Sequence, residues 1–317
     1  MNKLAILIPL LLVCMCCSLT SEGQSNSSAA AKAALIAVAH KSHGESQSLP
    51  ATASGPKVSY GSLYDGHTLI INIGDYNFLM QRVDSGAFNM GATAEQCSTN
   101  PVEHPAHQVN VSTFYIGETE VTQDIWIAVM GTNPSFFSSN MKHPVNNITW
   151  DDSQQFVKRL NALFASNGDY KGISFSLPTE AEWEFAARGG IMSKGYRFAG
   201  SNSEGDVAWN NFNSEGTVHP VKGKLPNELG IYDMNGNVWE WCIDLWNPNF
   251  YSESPKSNPV CLNTQSQFSN YHVARGNGAN SDSGGYIAWR NAYPITSKSG
   301  NIGMRLVLHL DASLQPD

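Results

Sequence analysis

The chain has 317 residues, 41% hydrophobic and only 15% charged, so it holds apolar material for one large core or two modest ones. Twenty-seven Gly, 15 Pro and 8 Trp, with few long apolar-periodic runs, argue against an all-helical bundle and for a loop-rich interior filled by aromatics. A formal net charge of −8, without clustered Lys and Arg, argues against a general nucleic-acid binder.

Lys3 supplies a positive end, and the apolar run from Leu4 to Cys17 gives way to polar Ser18 to Gln24. Such a run is too short to span a bilayer and reads as a signal peptide over residues 1–18, which implies export to a periplasm or cell surface. Cys14, Cys16 and Cys17 stand where a bacterial lipoprotein places its lipidated cysteine, but the small residue usual before that cysteine is missing, so membrane attachment through an N-terminal lipid stays open. Removing the signal leaves Cys97, Cys242 and Cys261, an odd number in an oxidising compartment, with a Cys242–Cys261 bridge as one option. Residues 19–58, rich in Ser, Ala, Gly and Gln, predict a flexible linker with at most a short helix over Ala29 to His40, and residues 59–317 then form the domain.

Alternation at Thr68 to Ile73 and a second segment at Phe78 to Val83 predict paired strands before a turn at Ser85-Gly86. A short helix is predicted from the cap Thr122 through Met130, ended by Gly131. The next, from about Asp151 to Phe164, places Phe156, Val157, Leu160, Leu163 and Phe164 on one face, with Thr149 as its cap and Asp151 and Asp152 in its first turn. A third starts at Thr179 with Glu182 completing a capping box and ends at Gly189-Gly190. Beyond residue 190 the pattern is turns, short strands and aromatics, with no internal repeat. His104 and His107 have a metal-compatible spacing but lie beside Pro105, where polar loop residues are the simpler reading. No Ser–His–Asp order, phosphate loop or dinucleotide fingerprint is present.

An ordered series of segments runs along the same chain: Phe88-Asn89-Met90-Gly91, His104-Pro105-Ala106-His107, Tyr115-Ile116-Gly117-Glu118-Thr119-Glu120-Val121-Thr122, Asn133-Pro134-Ser135 and His143-Pro144-Val145. Leu177-Pro178-Thr179-Glu180-Ala181-Glu182-Trp183-Glu184, His219-Pro220-Val221 and Gly230 to Trp241 complete it. Together they resemble the formylglycine-generating enzyme (sulfatase-modifying factor) family over most of the chain. The resemblance implies an α+β, C-type-lectin-like fold with small twisted antiparallel sheets, a few helices and much irregular chain. It also implies a structural calcium held by Asp233 and Glu240 carboxylates and by the Gly236 and Val238 carbonyls, a ligand set of oxygens that suits this ion. The alternative is that the two acids only hold a turn by hydrogen bonds.

The family's enzymes carry two cysteines that bind copper and oxidise a substrate cysteine. A gapless match of Arg275-Gly276 and Trp289-Arg290 to the family pattern puts Ser281 and Tyr286 at those positions, and neither replaces a thiolate, so no copper is expected. The family's Gly-Gly-Ser-Trp run is also changed, to Gly276-Asn277-Gly278-Ala279. Relatives that use iron join a separate helical domain, for which residues 19–58 are too short. What remains is a stretch rich in Asn, Ser, Gly and Tyr, a palette that favours binding loops, with Asn277, Asn280, Ser281, Asp282, Ser283, Tyr286, Trp289 and Tyr293 as candidate ligand contacts. Some family members are targets of diversity-generating retroelements, whose adenine mutagenesis yields much the same palette. A non-catalytic binder of a protein or glycan ligand is therefore the first expectation. An oxidase with an altered site and a structural lipoprotein of an envelope complex are the alternatives.

Overall fold

The computed structural model describes residues 57–62, 66–166, 172–282 and 285–311. The predicted signal at 1–18, the linker up to residue 56 with its helix at Ala29 to His40, and Ser283 lie outside the described residues.

The first predicted pair forms as expected: Thr68–Ile73 (β2) and Tyr76–Val83 (β3) are antiparallel, and the alternation sends Leu69, Ile71, Ile73, Met80 and Val83 into the core. Val58–Ser62 (β1), which begins in the predicted linker, adds an edge strand to β2. Its sequence, Val-Ser-Tyr-Gly-Ser, lacks the apolar alternation that would have announced it. Gly86–Met90 (β4) pairs with His107–Val111 (β5), and Phe114–Gly117 (β6) lies beside β3.

The three helices run at Gln123–Met130 (α1), Trp150–Ala165 (α2) and Glu180–Ala187 (α3). Thr149 with Asp152 and Thr179 with Glu182 close full capping boxes, and Gly131 ends α1 at φ 83°, a conformation that glycine adopts without steric cost. Thr122 begins α1 but its hydroxyl donates to Asp124 instead of accepting from the helix. Ile173–Ser176 (β7), Ala208–Trp209 (β8), Asn235–Gly236 (β9), Trp239–Leu245 (β10), Tyr271–Arg275 (β11), Arg290–Pro294 (β12), Ile302–Gly303 (β13) and Val307–Leu310 (β14) complete the elements used below.

One sheet has the order β1-β2-β3-β6-β14-β7, so the C-terminal strand is inserted between two earlier ones. Helices α1 and α2 cover it, packing Trp126, Phe156, Leu160 and Phe164 onto Ile71, Met80 and Leu308. The second sheet, β12-β11-β10-β13, carries Trp239 and Trp241 into the same core. A second apolar cluster around Trp183, Phe185, Tyr251 and Val273 sits beneath α3. The architecture is the expected α+β arrangement with one departure: β10 with β13, and β8 with β9, are parallel pairs.

Cys242 and Cys261 are buried free thiols, so the optional bridge is not formed. Burial pushes the Cys261 thiol up to about 11 and raises Cys242 as well, which makes both poor nucleophiles. His104 and His107 rings bond to the Ser98 and Pro105 carbonyls, and the His107 ring packs 4.8 Å from that of Tyr251. Among the described residues no group of three His, Cys, Asp or Glu side chains is gathered for a metal.

Candidate functional site

The candidate contact stretch is the connection from β11 to β12, and its two ends are held by the same carboxylate. Arg275, last in β11, faces Arg290, first in β12. Glu180, in the first turn of α3, accepts from Arg275 Nη1 at 2.8 Å and from Arg290 Nε and Nη2 at 2.8 and 2.6 Å. Glu184, one turn on and on the same helix face, accepts from Arg275 Nη2 at 2.6 Å, from Arg188 Nε at 2.9 Å and from the Gly91 N–H at 2.8 Å. Burial opposes the charge on Glu184, yet Arg188, Arg275 and the Gly91 N–H hold its carboxyl below the usual range. The guanidinium of Arg290 also lies 4.2 Å over the Tyr251 ring, and that of Arg275 5.0 Å over Trp183. Glu180, Glu184, Arg275 and Arg290 are buried, and both carboxylates are bonded through both oxygens, while Arg275 Nε alone among these guanidinium donors lacks a partner. The sequence motif around Glu180 and Glu184 was legible, but not this role, because Arg275 and Arg290 lie about 90 or more residues away.

Between these fixed ends the candidate residues divide. Asn280 and Asp282 are exposed and Ser281 is half-buried. The amide of Asn301 donates to Asn280 Oδ1 at 2.5 Å, the Asn211 N–H to the Ser281 carbonyl at 3.3 Å, and the Asn211 amide to Asp282. Asn277, by contrast, is buried at φ 72°, and its Oδ1 accepts the Gly278 N–H. Tyr286 and Trp289, expected on the contact surface, are half-buried and also brace the loop. The Tyr286 hydroxyl lies 2.9 Å from both Ser98 Oγ and Glu103 Oε2, with Arg197 over its ring and Trp289 5.4 Å away. Burial, with Glu103 beside it, pushes the Tyr286 phenol up to about 12. Tyr293 stands edge-on to Trp239 and Trp241 and is likewise part of the packing.

Aromatics missed by sequence reasoning rim the accessible part. Phe136 is 72% exposed and Phe212 77% exposed. The Asn133-Pro134-Ser135 segment explains the first of these: Asn133 bonds Gln123 at 2.8 Å, and Asn146 takes the Phe136 N–H at 2.9 Å, which fixes the turn that presents the ring. A cleft of about 210 Å³ is lined by Phe136, Phe137, Val218, Ala279, Asn280 and Asn301. Ser281 and Tyr286 supply no thiolate, Cys242 and Cys261 belong to the buried core, and half-buried Cys97 is a single thiol, so among the described residues no thiolate pair that would suit copper is assembled here.

The predicted calcium segment is rearranged by Arg305. Glu240 gives both oxygens to Arg305, with contacts of 2.7 to 3.0 Å, and Oε2 also takes the Trp183 indole N–H at 2.7 Å. With those positions filled, Glu240 is a poor choice of cation ligand, which corrects that part of the expectation. Gly236 is explained by packing: at φ 78°, a Cβ there would stand 2.2 Å from the Trp209 carbonyl. Asp233 and the overlooked Glu120 have the opposite character. Glu120 Oε1 and Oε2 and Asp233 Oδ1 are buried without a hydrogen-bond partner. Burial, then the charge of Asp233, pushes Glu120 well above the carboxylate range, and burial pushes Asp233 up to about 6. Three carboxylates here face the Arg305 guanidinium, with Lys222 acting on Asp233 as well, an excess of negative groups that a hard, oxygen-seeking cation would relieve. Glu120 and Asp233 are the two carboxyls with oxygens open to such an ion, with Glu240 and Arg305 as the neighbouring pair.

The sulfatase-modifying factor enzyme 1-like domain model matches residues 78–310. The formylglycine-generating enzyme of Streptomyces coelicolor is 27% identical, over 71% of this chain and 87% of its own length. The chaperone protein LppX of Paenibacillus barcinonensis is 32% identical, over 55% of this chain and 73% of its own. Among solved structures, Treponema denticola variable protein 1 superposes with a TM-score of 0.62 and 26% identity, covering 76% of this chain and 99% of that one. On the family match and the fold, the chain belongs to the sulfatase-modifying factor enzyme 1-like domain family.

Proposed function

We propose that this chain is an exported, non-catalytic binding module, in which a rigid family scaffold presents Asn280, Ser281 and Asp282, rimmed by Phe136 and Phe212, to a protein or glycan ligand. The observation that carries this reading is the clamp. Both ends of the 276–289 connection are fixed by buried arginines on one glutamate, while the residues at its crest are accessible. Such an arrangement lets crest side chains vary without moving the backbone that holds them, the property a binding loop needs. The resemblance to a protein named for being variable supports the reading, as does the short apolar N-terminus for export. Attachment through an N-terminal lipid and retroelement-driven variation of the crest are finer parts of the same proposal. Calcium, held by Glu120 and Asp233 with the Gly236 and Val238 carbonyls, would act as a fastener of irregular chain, in a segment that bonds the start of the loop through Gly276 and Ala279.

A crest built for variation tolerates change where the framework does not. Combining Asn280→Tyr, Ser281→Asn and Asp282→Ser is expected to cost about 1.5 kcal/mol or less in total, a fall in Tm of at most about 3–6 °C, since accessible substitutions stay within about 0.5 kcal/mol each. Asn277→Ala, which forces a left-handed backbone on alanine, is expected to lose about 1–2 kcal/mol. Thermal unfolding of both variants is the check, and a triple variant more damaged than Asn277→Ala would remove the support for a display surface.

A further inference from the structure

The cleft beside the crest has a chemistry narrower than that of ligands in general, and its assignment rests on the binding-module reading. None of its lining residues is ionisable. One wall is the Phe136 ring, held by Phe137 at 85° and 5.0 Å, and Phe137 itself needs Gly300, where a Cβ would fall 2.9 Å from the ring. The aromatic wall is therefore set before a ligand arrives, which lowers the entropy lost on binding. The lining also includes Asn280 and Asn301, whose amides pair with each other and, through Asn301 Oδ1, with Ser299 Oγ, which leaves the Asn280 amide N–H groups and the second Asn301 N–H as donors.

Main-chain recognition is largely used up. The Ala279 N–H and carbonyl bond Asn237 and Ser214, the Asn301 carbonyl accepts from Trp239, and the Ser299 carbonyl accepts from both Asn147 and Ile302. An extended peptide would find little open edge to pair with. At about 210 Å³, the cleft is also smaller than the roughly 300–1,000 Å³ of sites that engulf drug-sized ligands. An uncharged pocket with one aromatic face and amide donors in its lining suits a ring that is itself two-faced, apolar C–H on one side and hydroxyls at its edge.

We propose that the cleft binds a single neutral sugar ring, the end unit of a glycan, with a C–H face on Phe136 and hydroxyls on Asn280 and Asn301. Affinity for one ring is weak: about 12 heavy atoms at about 0.3 kcal/mol each correspond to a Kd of about 1 mM or above.

The test is saturation-transfer NMR on the full chain in calcium-containing buffer, with the methyl glycosides of glucose, galactose, mannose and N-acetylglucosamine, and a capped dipeptide containing phenylalanine. Transfer to at least one glycoside is expected, weakened about tenfold or more in both Phe136→Ala and Asn280→Ala. It should be unchanged in Leu262→Ala, an exposed apolar residue outside the cleft. Glycoside binding unaffected by the two cleft variants would overturn the proposal. Silence from all four glycosides, with dipeptide transfer lost in Phe136→Ala, would also overturn it but leave the binding-module reading standing. No transfer from any probe would count against both.

Discussion

Replacing Glu180 by alanine is expected to destabilise the chain by about 3–5 kcal/mol, the cost of stranding a buried charge. Arg290 would keep only the Val102 carbonyl and two aromatic rings, whereas Arg275 would retain Glu184. Against a total stability of about 5–15 kcal/mol, this loss brings the protein close to unfolding at ambient temperature. Urea denaturation followed by tryptophan fluorescence measures it. Adding Arg290→Met to Glu180→Ala should cost less than the two single changes summed, because the second removes the charge that the first strands. Asp124→Asn is the contrasting case: its partner Lys142 has a 61% exposed side chain, and the loss of that ion pair should be about 1 kcal/mol or less. Equal effects at the two sites would mean that the clamp is not what fixes the loop ends.

The second large effect concerns Glu120 and Asp233. If a cation offsets their buried charge, calcium at about 100 times its Kd adds about 2.7 kcal/mol. That corresponds to a rise in Tm of roughly 5–10 °C over the same protein in EDTA. Glu120→Gln and Asp233→Asn should each remove most of the rise, and both variants in EDTA should be no less stable than the parent, since burial disfavours charge on both carboxyls. Neither substitution takes away a hydrogen bond that an amide oxygen could not accept, Asp233 Oδ2 taking the Lys222 N–H and Glu120 taking none. Differential scanning calorimetry with and without calcium gives the answer. An unchanged parent Tm would assign these two carboxyls to protonated, metal-free burial.

Much of the fold was legible because local rules governed it. The capping boxes at Thr149 and Thr179, the glycine after Met130 and the alternation from Thr68 to Ile73 each specify their element within a few residues. What escaped was written across long separations. Glu120 gains its meaning from Asp233 and Arg305, and Phe136 from a loop held by Gln123 and Asn146. Composition placed Tyr286 and Trp289 in a contact surface, since binding loops favour those residues. The same amphipathic rings serve equally as braces, a role that the polar partners Ser98 and Glu103, some 185 residues earlier, give to Tyr286. Glu240 shows the same limit: the acid was recognised, but Arg305, which fills its oxygens, comes 65 residues later.

The central claim, a family scaffold without the family's oxidation chemistry, is tested most directly by Cu(I) titration followed by incubation with oxygen and a cysteine-containing sulfatase-motif peptide, read by mass spectrometry. With Ser281 and Tyr286 aligned to the thiolate positions and two of the remaining thiols buried, the expected result is no stoichiometric Cu(I) at that site and no conversion of the peptide cysteine. One equivalent of tightly bound copper together with formylglycine in the peptide would contradict it.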